Sequence, residues 1–351
     1  MSPRPGKGGA PLREFIIMHS LLEELQMRIT RIVAAVLVAV FAAATVAFAQ
    51  PARDSLLVVV YRVSGTVGIF KAVGKDITPL KTLPVGKTPR EVALSPDGKR
   101  AYISNQEGHS VTVIDLEKLE VAGTISDPNL IGPDGGLVSR DGQKFYVVAS
   151  LRDSLFVIAT NTLKVVGEIP LKLRVPRRVT YSPDGKKIYV TANQTDEIVV
   201  MDAATEKITN RIPVGGEPRG GLAFAPDGKR FLAGAVEDDT LYYVDAASEK
   251  VTRILGVPVS PQRIVFNPAG TAFVLCRSGS VFAIQDLDKH DKNVVIPIGL
   301  APWGLDISGD GKYVFASNNV DDTISIIDSA TLKLVNTVRV DHDPNGIAFR
   351  K

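Results

Sequence analysis

The segment EVALSPDGKRAYISNQEGHSVTVIDLEKLEVAGTI, Glu91 to Ile125, holds the pattern from which the rest of the chain can be read. An alternating run, Glu91 to Leu94, meets Ser95-Pro96-Asp97-Gly98 and resumes as the apolar run Arg100 to Ser104. Proline presets the first turn angle, aspartate bonds back to the backbone and glycine takes the positive φ that closes a hairpin, so this tetrapeptide joins two strands. A polar loop then leads to a β-branched strand, Ser110 to Asp115, and a last strand follows from Leu119 to Ile125.

The turn signal returns at Ser139-Arg140-Asp141-Gly142, Ser182-Pro183-Asp184-Gly185, Ala225-Pro226-Asp227-Gly228, Asn267-Pro268-Ala269-Gly270 and Ser308-Gly309-Asp310-Gly311. Its glycines step by 44, 43, 43, 42 and 41 residues. Four short strands in each period of about 43 residues predict one β-propeller blade per repeat. The ends give the blade number. Asn345-Gly346-Ile347-Ala348-Phe349 matches only the first strand of a unit, whereas Leu56 to Arg62, Thr66 to Ala72 and Ile77 to Leu83 match strands two to four. Six whole units and one shared between the ends predict an all-β, seven-bladed propeller of four-stranded antiparallel blades. Pairing the C-terminal strand with the N-terminal blade closes the ring and removes two free sheet edges.

Residues 28–49 read RITRIVAAVLVAVFAAATVAFA, with Arg28 and Arg31 ahead of an apolar stretch and a small-x-small signal at Ala47-Phe48-Ala49. This pattern predicts a secretory signal peptide cleaved after Ala49; the competing reading is an uncleaved membrane anchor. Residues 1–26 precede Met27 and read as an upstream translation artefact, so residues 1–49 are set aside as a leader and 50–351 as a single propeller domain. The predicted location is periplasmic or secreted.

Lys and Arg number 41 against 38 Asp and Glu, and removing the leader leaves 36 against 35. So balanced a charge argues against a nucleic-acid partner. Cys276 is the only cysteine, which excludes an intramolecular disulfide and a Cys-based zinc site. The sequence has no nucleophile elbow, no Walker A and no dinucleotide fingerprint, and its histidines beyond the leader (His109, His290, His342) lack metal-ligand spacing. No cofactor is predicted. Glu237-Asp238-Asp239, Asp321-Asp322 and Asp341-His342-Asp343 are the only candidates for Ca²⁺, and acids so arranged in loops are more simply read as solvated.

Tyr102-Ile103-Ser104-Asn105, Tyr189-Val190-Thr191-Ala192-Asn193 and Val314-Phe315-Ala316-Ser317-Asn318 resemble the strand motif of YVTN-type propeller repeats, as do Val113-Ile114-Asp115, Val200-Met201-Asp202, Tyr243-Val244-Asp245 and Ile326-Ile327-Asp328. The resemblance covers residues 55–351 and implies an exported bacterial propeller. It leaves function open, because such propellers serve as binding modules, surface proteins, lactonase-like enzymes and accessories of periplasmic oxidoreductases. The recurring Asp is read as a turn cap rather than a catalytic group.

Binding in a propeller falls to the loops that gather around the axis. Those entering each first strand read Thr88-Pro89-Arg90, Gly132-Pro133-Asp134, Val175-Pro176-Arg177-Arg178, Glu217-Pro218-Arg219, Pro261-Gln262-Arg263, Ala301-Pro302-Trp303 and Asp343-Pro344-Asn345. Arg90, Arg177, Arg178, Arg219 and Arg263 are expected to converge on the channel mouth with Asp134, Trp303 and Asn345, where guanidinium forks suit carboxylate or phosphate. Alternatively these arginines pair with Glu91, Asp134 and Glu217 and merely seal the channel. Trp303 either stacks on a flat ligand or partner or shields a core edge. Three functions fit: a non-catalytic module docking a periplasmic protein or small anion; a lactonase-like hydrolase using His109, Asp134 and His342; and an accessory of a quinone-dependent periplasmic dehydrogenase.

Overall fold

A computed structural model of the chain describes residues 55–254, 257–289 and 291–350, together with Gln26. Apart from Gln26, the predicted leader and its cleavage site lie outside these residues, as does His290. Seven four-stranded antiparallel sheets form the ring. We number the blades from the N-terminus, so blade 1 is built from Leu56–Tyr61, Thr66–Val73 and Asp76–Pro84 with the C-terminal strand Pro344–Arg350 as its innermost member. Leu57 faces Phe349 and Val59 faces Ile347 across that closure. The innermost strands of blades 2 to 7 are Pro89–Leu94, Pro133–Val138, Pro176–Tyr181, Leu222–Phe224, Pro261–Phe266 and Pro302–Ile307. Each touches the next, and the strand of blade 1 touches those of blades 7 and 2, so they line the axis.

Burial follows from the two-residue period of a strand inside a ring. In Leu56–Tyr61, Leu57, Val59 and Tyr61 pack against blade 7, whereas Leu56, Val58 and Val60 pack against blade 2. One such cluster fills each of the seven seams. Because both faces of the middle strands are covered, they read as continuous apolar runs. The outermost strands show the reverse, as in Lys333–Arg339, where no residue is fully buried. Among the described residues no helix is long and apolar enough to cross a membrane.

The repeat residues hold turns. Ser95 Oγ donates to Asp97 Oδ1 (2.6 Å), which also accepts from the Lys99 amide (3.0 Å), and the same arrangement recurs at Ser308 and Asp310. Asp202, Asp245 and Asp328, which end third strands, each accept a backbone N–H three residues on at 2.7 Å. The motif asparagine is a staple: Asn105 Nδ2 donates to Ser110 Oγ and Thr112 Oγ1, and Asn318 Nδ2 to Thr323 Oγ1 and Ser325 Oγ. In blade 4 the strand Lys187–Ala192 stops one residue short of Asn193, so Ala192 holds the staple position and Asn193 lies beyond it.

Candidate functional site

Every inner strand is entered through a residue–proline pair, and the residue before the proline is left-handed in all seven blades. Thr88 (φ 50°), Gly132 (66°), Val175 (55°), Glu217 (51°), Ser260 (58°), Ala301 (47°) and Asp343 (59°) occupy these positions. Only one is glycine, and a β-branched residue such as Val175 or Thr88 is held there against its own preference. In five blades a side chain of the preceding blade restrains this residue through its amide. Asp153, Asp196, Asp239 and Asp322, each just before a third strand, accept from the amides of Val175, Glu217, Ser260 and Asp343 at 2.9, 3.2, 2.6 and 3.0 Å. His109 does the same through Nδ1 for the Gly132 amide (3.1 Å). The equivalent places in blades 1 and 6 are Gly65 and Gly279, which have no side chain to offer. Two of the acidic loops considered for Ca²⁺ thus latch neighbouring blades, and Asp343 pairs with Arg62 (2.8 Å). Among the described residues no group of three or more His, Cys, Asp or Glu is arranged to hold a metal ion.

The position after the proline carries Arg90, Asp134, Arg177, Arg219, Gln262, Trp303 and Asn345. One residue further in lie Glu91, Gly135, Arg178, Gly220, Arg263, Gly304 and Gly346. The four glycines are packing requirements. A Cβ at Gly135, Gly220, Gly304 or Gly346 would stand 2.3–2.5 Å from the next blade's carbonyl oxygen, of Arg177, Gln262, Asn345 or Arg90 respectively. The three remaining positions send charged side chains to the axis. Glu91 from blade 2 meets Arg178 from blade 4 (2.5 Å) and Arg263 from blade 6. Arg263 therefore belongs to this deeper set with Arg178, not to the outer set with Arg90, Arg177 and Arg219 that the loop sequences suggest; Pro261-Gln262-Arg263 places Gln262 outermost.

In the outer set Asp134 pairs with Arg177 and lies 3.9 Å from Arg90 Nε. Arg90 Nη1 donates to Gln106 Oε1 (3.0 Å), and its guanidinium stands over the Trp303 ring at 5.0 Å. Arg277, on the loop between the second and third strands of blade 6, stacks on the same indole at 5.2 Å. Arg219 makes no ion pair among the described residues; its amide donates to the Glu217 carbonyl (2.7 Å), while the carboxylates of Glu217, its expected partner, and Glu237 lend only charge from nearby.

Two carboxylates, Glu91 and Asp134, pair among six guanidiniums, with Glu217 and Glu237 acting on Arg219 from a distance, and the electrostatics follow. Burial works to raise the Glu91 carboxyl, but Arg178 and Arg263 outweigh it and hold the group at about 2. Burial lowers Arg90, with Arg177 and Arg178 adding to the effect against Asp134 and Glu91. It also lowers Arg263, helped by Arg178 and opposed by Glu91, and Arg219, helped by Arg177 and Arg277. Several buried donors have no protein partner: Nε of Arg90, Arg178 and Arg263, Nε2 of Gln262 and Nε1 of Trp303; the Asn345 Oδ1 acceptor is likewise unpartnered. Glu91 and Asp134 pair with arginines, and positive charge and donor capacity remain at the axis. The loop sequences show the outer ring directly. Arg277 was reachable only as a charged residue on a second-to-third-strand loop, and the role of Glu91 depends on a contact across the ring.

His109 and His342 have other engagements: His109 is a blade latch, and His342 Nδ1 lies 2.9 Å from Asp322 Oδ1 on an exposed loop. With Asp134 bound to Arg177, the three residues considered for hydrolysis are each partnered elsewhere.

The fold and axis define a seven-bladed propeller with an arginine-rich mouth. A family model described as YNCE-like beta-propeller matches residues 41–176, in agreement with the YVTN-type resemblance. None of the curated proteins matches. Solved structures do. A putative 6-phosphogluconolactonase from Bacteroides fragilis is 19% identical, with a TM-score of 0.72 over 87% of this chain and 100% of that one. The periplasmic gluconolactonase of Pseudomonas aeruginosa is 16% identical, at 0.69 over 85% and 99%. Hydrazine synthase of Kuenenia stuttgartiensis is 23% identical, at 0.66 over 74% and 88%. At these identities the likeness concerns the fold.

Proposed function

We propose that the chain is an exported, non-catalytic binding module whose mouth docks a carboxylate-bearing segment of a protein partner. The observation that supports this reading is the excess of guanidinium over carboxylate at the axis, with Arg219 in no ion pair among the described residues and both Arg90 and Arg277 stacked on Trp303. Guanidinium forks beside an aromatic face suit an acidic peptide, and rigid inner strands spare the ordering cost of docking. Arg219→Glu with Arg277→Glu reverses two charges without touching the ion pairs of Glu91 or Asp134. Fluorescence anisotropy with a labelled oligoglutamate peptide at low salt tests the reading. Binding by the parent chain, weakened by salt and abolished in the double variant, is expected; equal binding by both chains, or none by either, overturns it.

A second reading, a lactonase-like hydrolase, is favoured by the two structural neighbours named as lactonases. It predicts turnover of a lactone panel, checked with and without chelator, and complete absence of turnover disposes of it.

A further inference from the structure

Beneath the mouth, between blades 4, 5 and 6, lies a cavity of about 150 Å³. Its walls include Arg178, Tyr189, Thr191, Gly220, Gly221 and Arg263. Blade 5 makes the room. Its inner strand is only Leu222–Phe224, preceded by Gly220 and by Gly221 at φ +93°, a conformation that side-chain-bearing residues rarely adopt. A Cβ at Gly221 would also stand 3.1 Å from Arg178 Cγ. Larger grooves of about 640, 540 and 310 Å³ sit at other seams, and cations on their walls are already engaged: Arg62 with Asp343, Lys144 with Glu206, Arg100 with the Thr160 carbonyl. In the axial cavity the opposite holds.

Glu91 is shared between Arg178 and Arg263, so this buried layer carries two positive charges against one negative. Arg178 Nε, Arg263 Nε and the Thr191 hydroxyl, all buried, have no hydrogen-bond partner in the protein, and Glu91 Oε1, though ion-paired with Arg178 Nη1, has none either. Unmet N–H donors in a desolvated place call for an acceptor, and uncompensated positive charge calls for that acceptor to be an anion. Water meets the first demand only. The space exceeds the share of about 30 Å³ that one water takes in the liquid.

We propose that this cavity is a binding site for a small, planar, singly charged oxyanion of the carboxylate or nitrate class. One negative charge brings the layer itself to neutrality, and a flat monoanion lies along the guanidinium planes where a tetrahedral sulfate or phosphate does not. Planar forks match planar acceptors, and the Thr191 hydroxyl supplies a further donor. The site is separate from the peptide-docking surface, whose outermost arginines it does not use.

The test uses the full chain in a chloride-free buffer, with sodium formate, nitrate, chloride and sulfate compared at equal ionic strength. Formate or nitrate is expected to raise the unfolding temperature saturably and to move the Nε–H resonances of Arg178 and Arg263 in ¹⁵N-labelled protein; formate against nitrate tells the two sources apart. Thr191→Val, which keeps shape and charge, is expected to weaken binding about tenfold. Arg219→Glu with Arg277→Glu, which removes peptide docking, is expected to retain the resonance shifts, so failure of one reading is distinguishable from failure of the other. Unmoved resonances in the parent chain, an equal response to sulfate or chloride, or undiminished affinity in the folded Thr191→Val chain overturns the proposal.

Discussion

Glu91→Gln isolates the electrostatics of the axis. The substitution keeps shape and an acceptor oxygen but removes the only negative charge shared by Arg178 and Arg263, in a side chain with almost no exposure. The folded carboxyl sits at about 2 against an ordinary 4.5. At 1.36 kcal/mol per unit this corresponds to about 3 kcal/mol of stability at neutral pH, within the range of about 3–5 kcal/mol for breaking a buried pair. Because the folded value is the depressed one, the contribution is complete above about pH 5 and drains away as pH falls through 4.5 towards 2. Urea titrations of parent and variant should therefore differ by about 3 kcal/mol at neutral pH, and by about 2 kcal/mol less near pH 3. Glu91→Gln with Arg263→Gln should recover part of the loss by relieving the surplus charge. A variant within 1 kcal/mol of the parent at neutral pH, with a gap that does not narrow in acid, would refute the reasoning.

Three other outcomes are expected. Asn105→Ala removes the donors to Ser110 and Thr112 and the acceptor of the Gly86 amide, and should cost about 2–3 kcal/mol in thermal or urea unfolding. Gly346→Ala places a Cβ 2.5 Å from the Arg90 carbonyl oxygen where no flexible side chain can yield, and should lower stability by about 1–3 kcal/mol, measured the same way. Cys276, fully buried with its thiol pushed up to about 12 by that burial and by Asp239, should resist iodoacetamide in the folded chain and react on addition of denaturant, read by mass spectrometry.

The architecture was legible because its determinants are local and repeated. The turn tetrapeptides report hairpins, and the unmatched strand at Asn345–Phe349 reports the closure that Leu57 and Phe349 make. The outer ring at the mouth was legible for the same reason, since each residue follows a proline at a fixed place in the repeat. The deeper set was less so. Whether Arg263 stands beside Arg177 or beside Arg178 turns on one residue of register after Pro261, and Glu91 gains meaning only when blades 2, 4 and 6 are brought to one axis. Nor does composition show that Val175 or Thr88 is left-handed, because that conformation is imposed by packing and, at Val175, by the Asp153 carboxylate of the blade before.

The latch residues divide the ring unevenly. Side chains from His109, Asp153, Asp196, Asp239 and Asp322 tie five seams, while Gly65 and Gly279 leave the seams between blades 1 and 2 and between blades 6 and 7 without that tie. Blades 7 and 1, themselves latched through Asp322, therefore form a keystone set between the two joints that lack a latch. Trp303 sits in that keystone, and the two guanidiniums that stack on its ring, Arg90 and Arg277, come from blades 2 and 6 on the far sides of the joints. Each stacking contact thus reaches across a seam that lacks a side-chain latch, so the indole stands at the meeting point of the two unlatched joints.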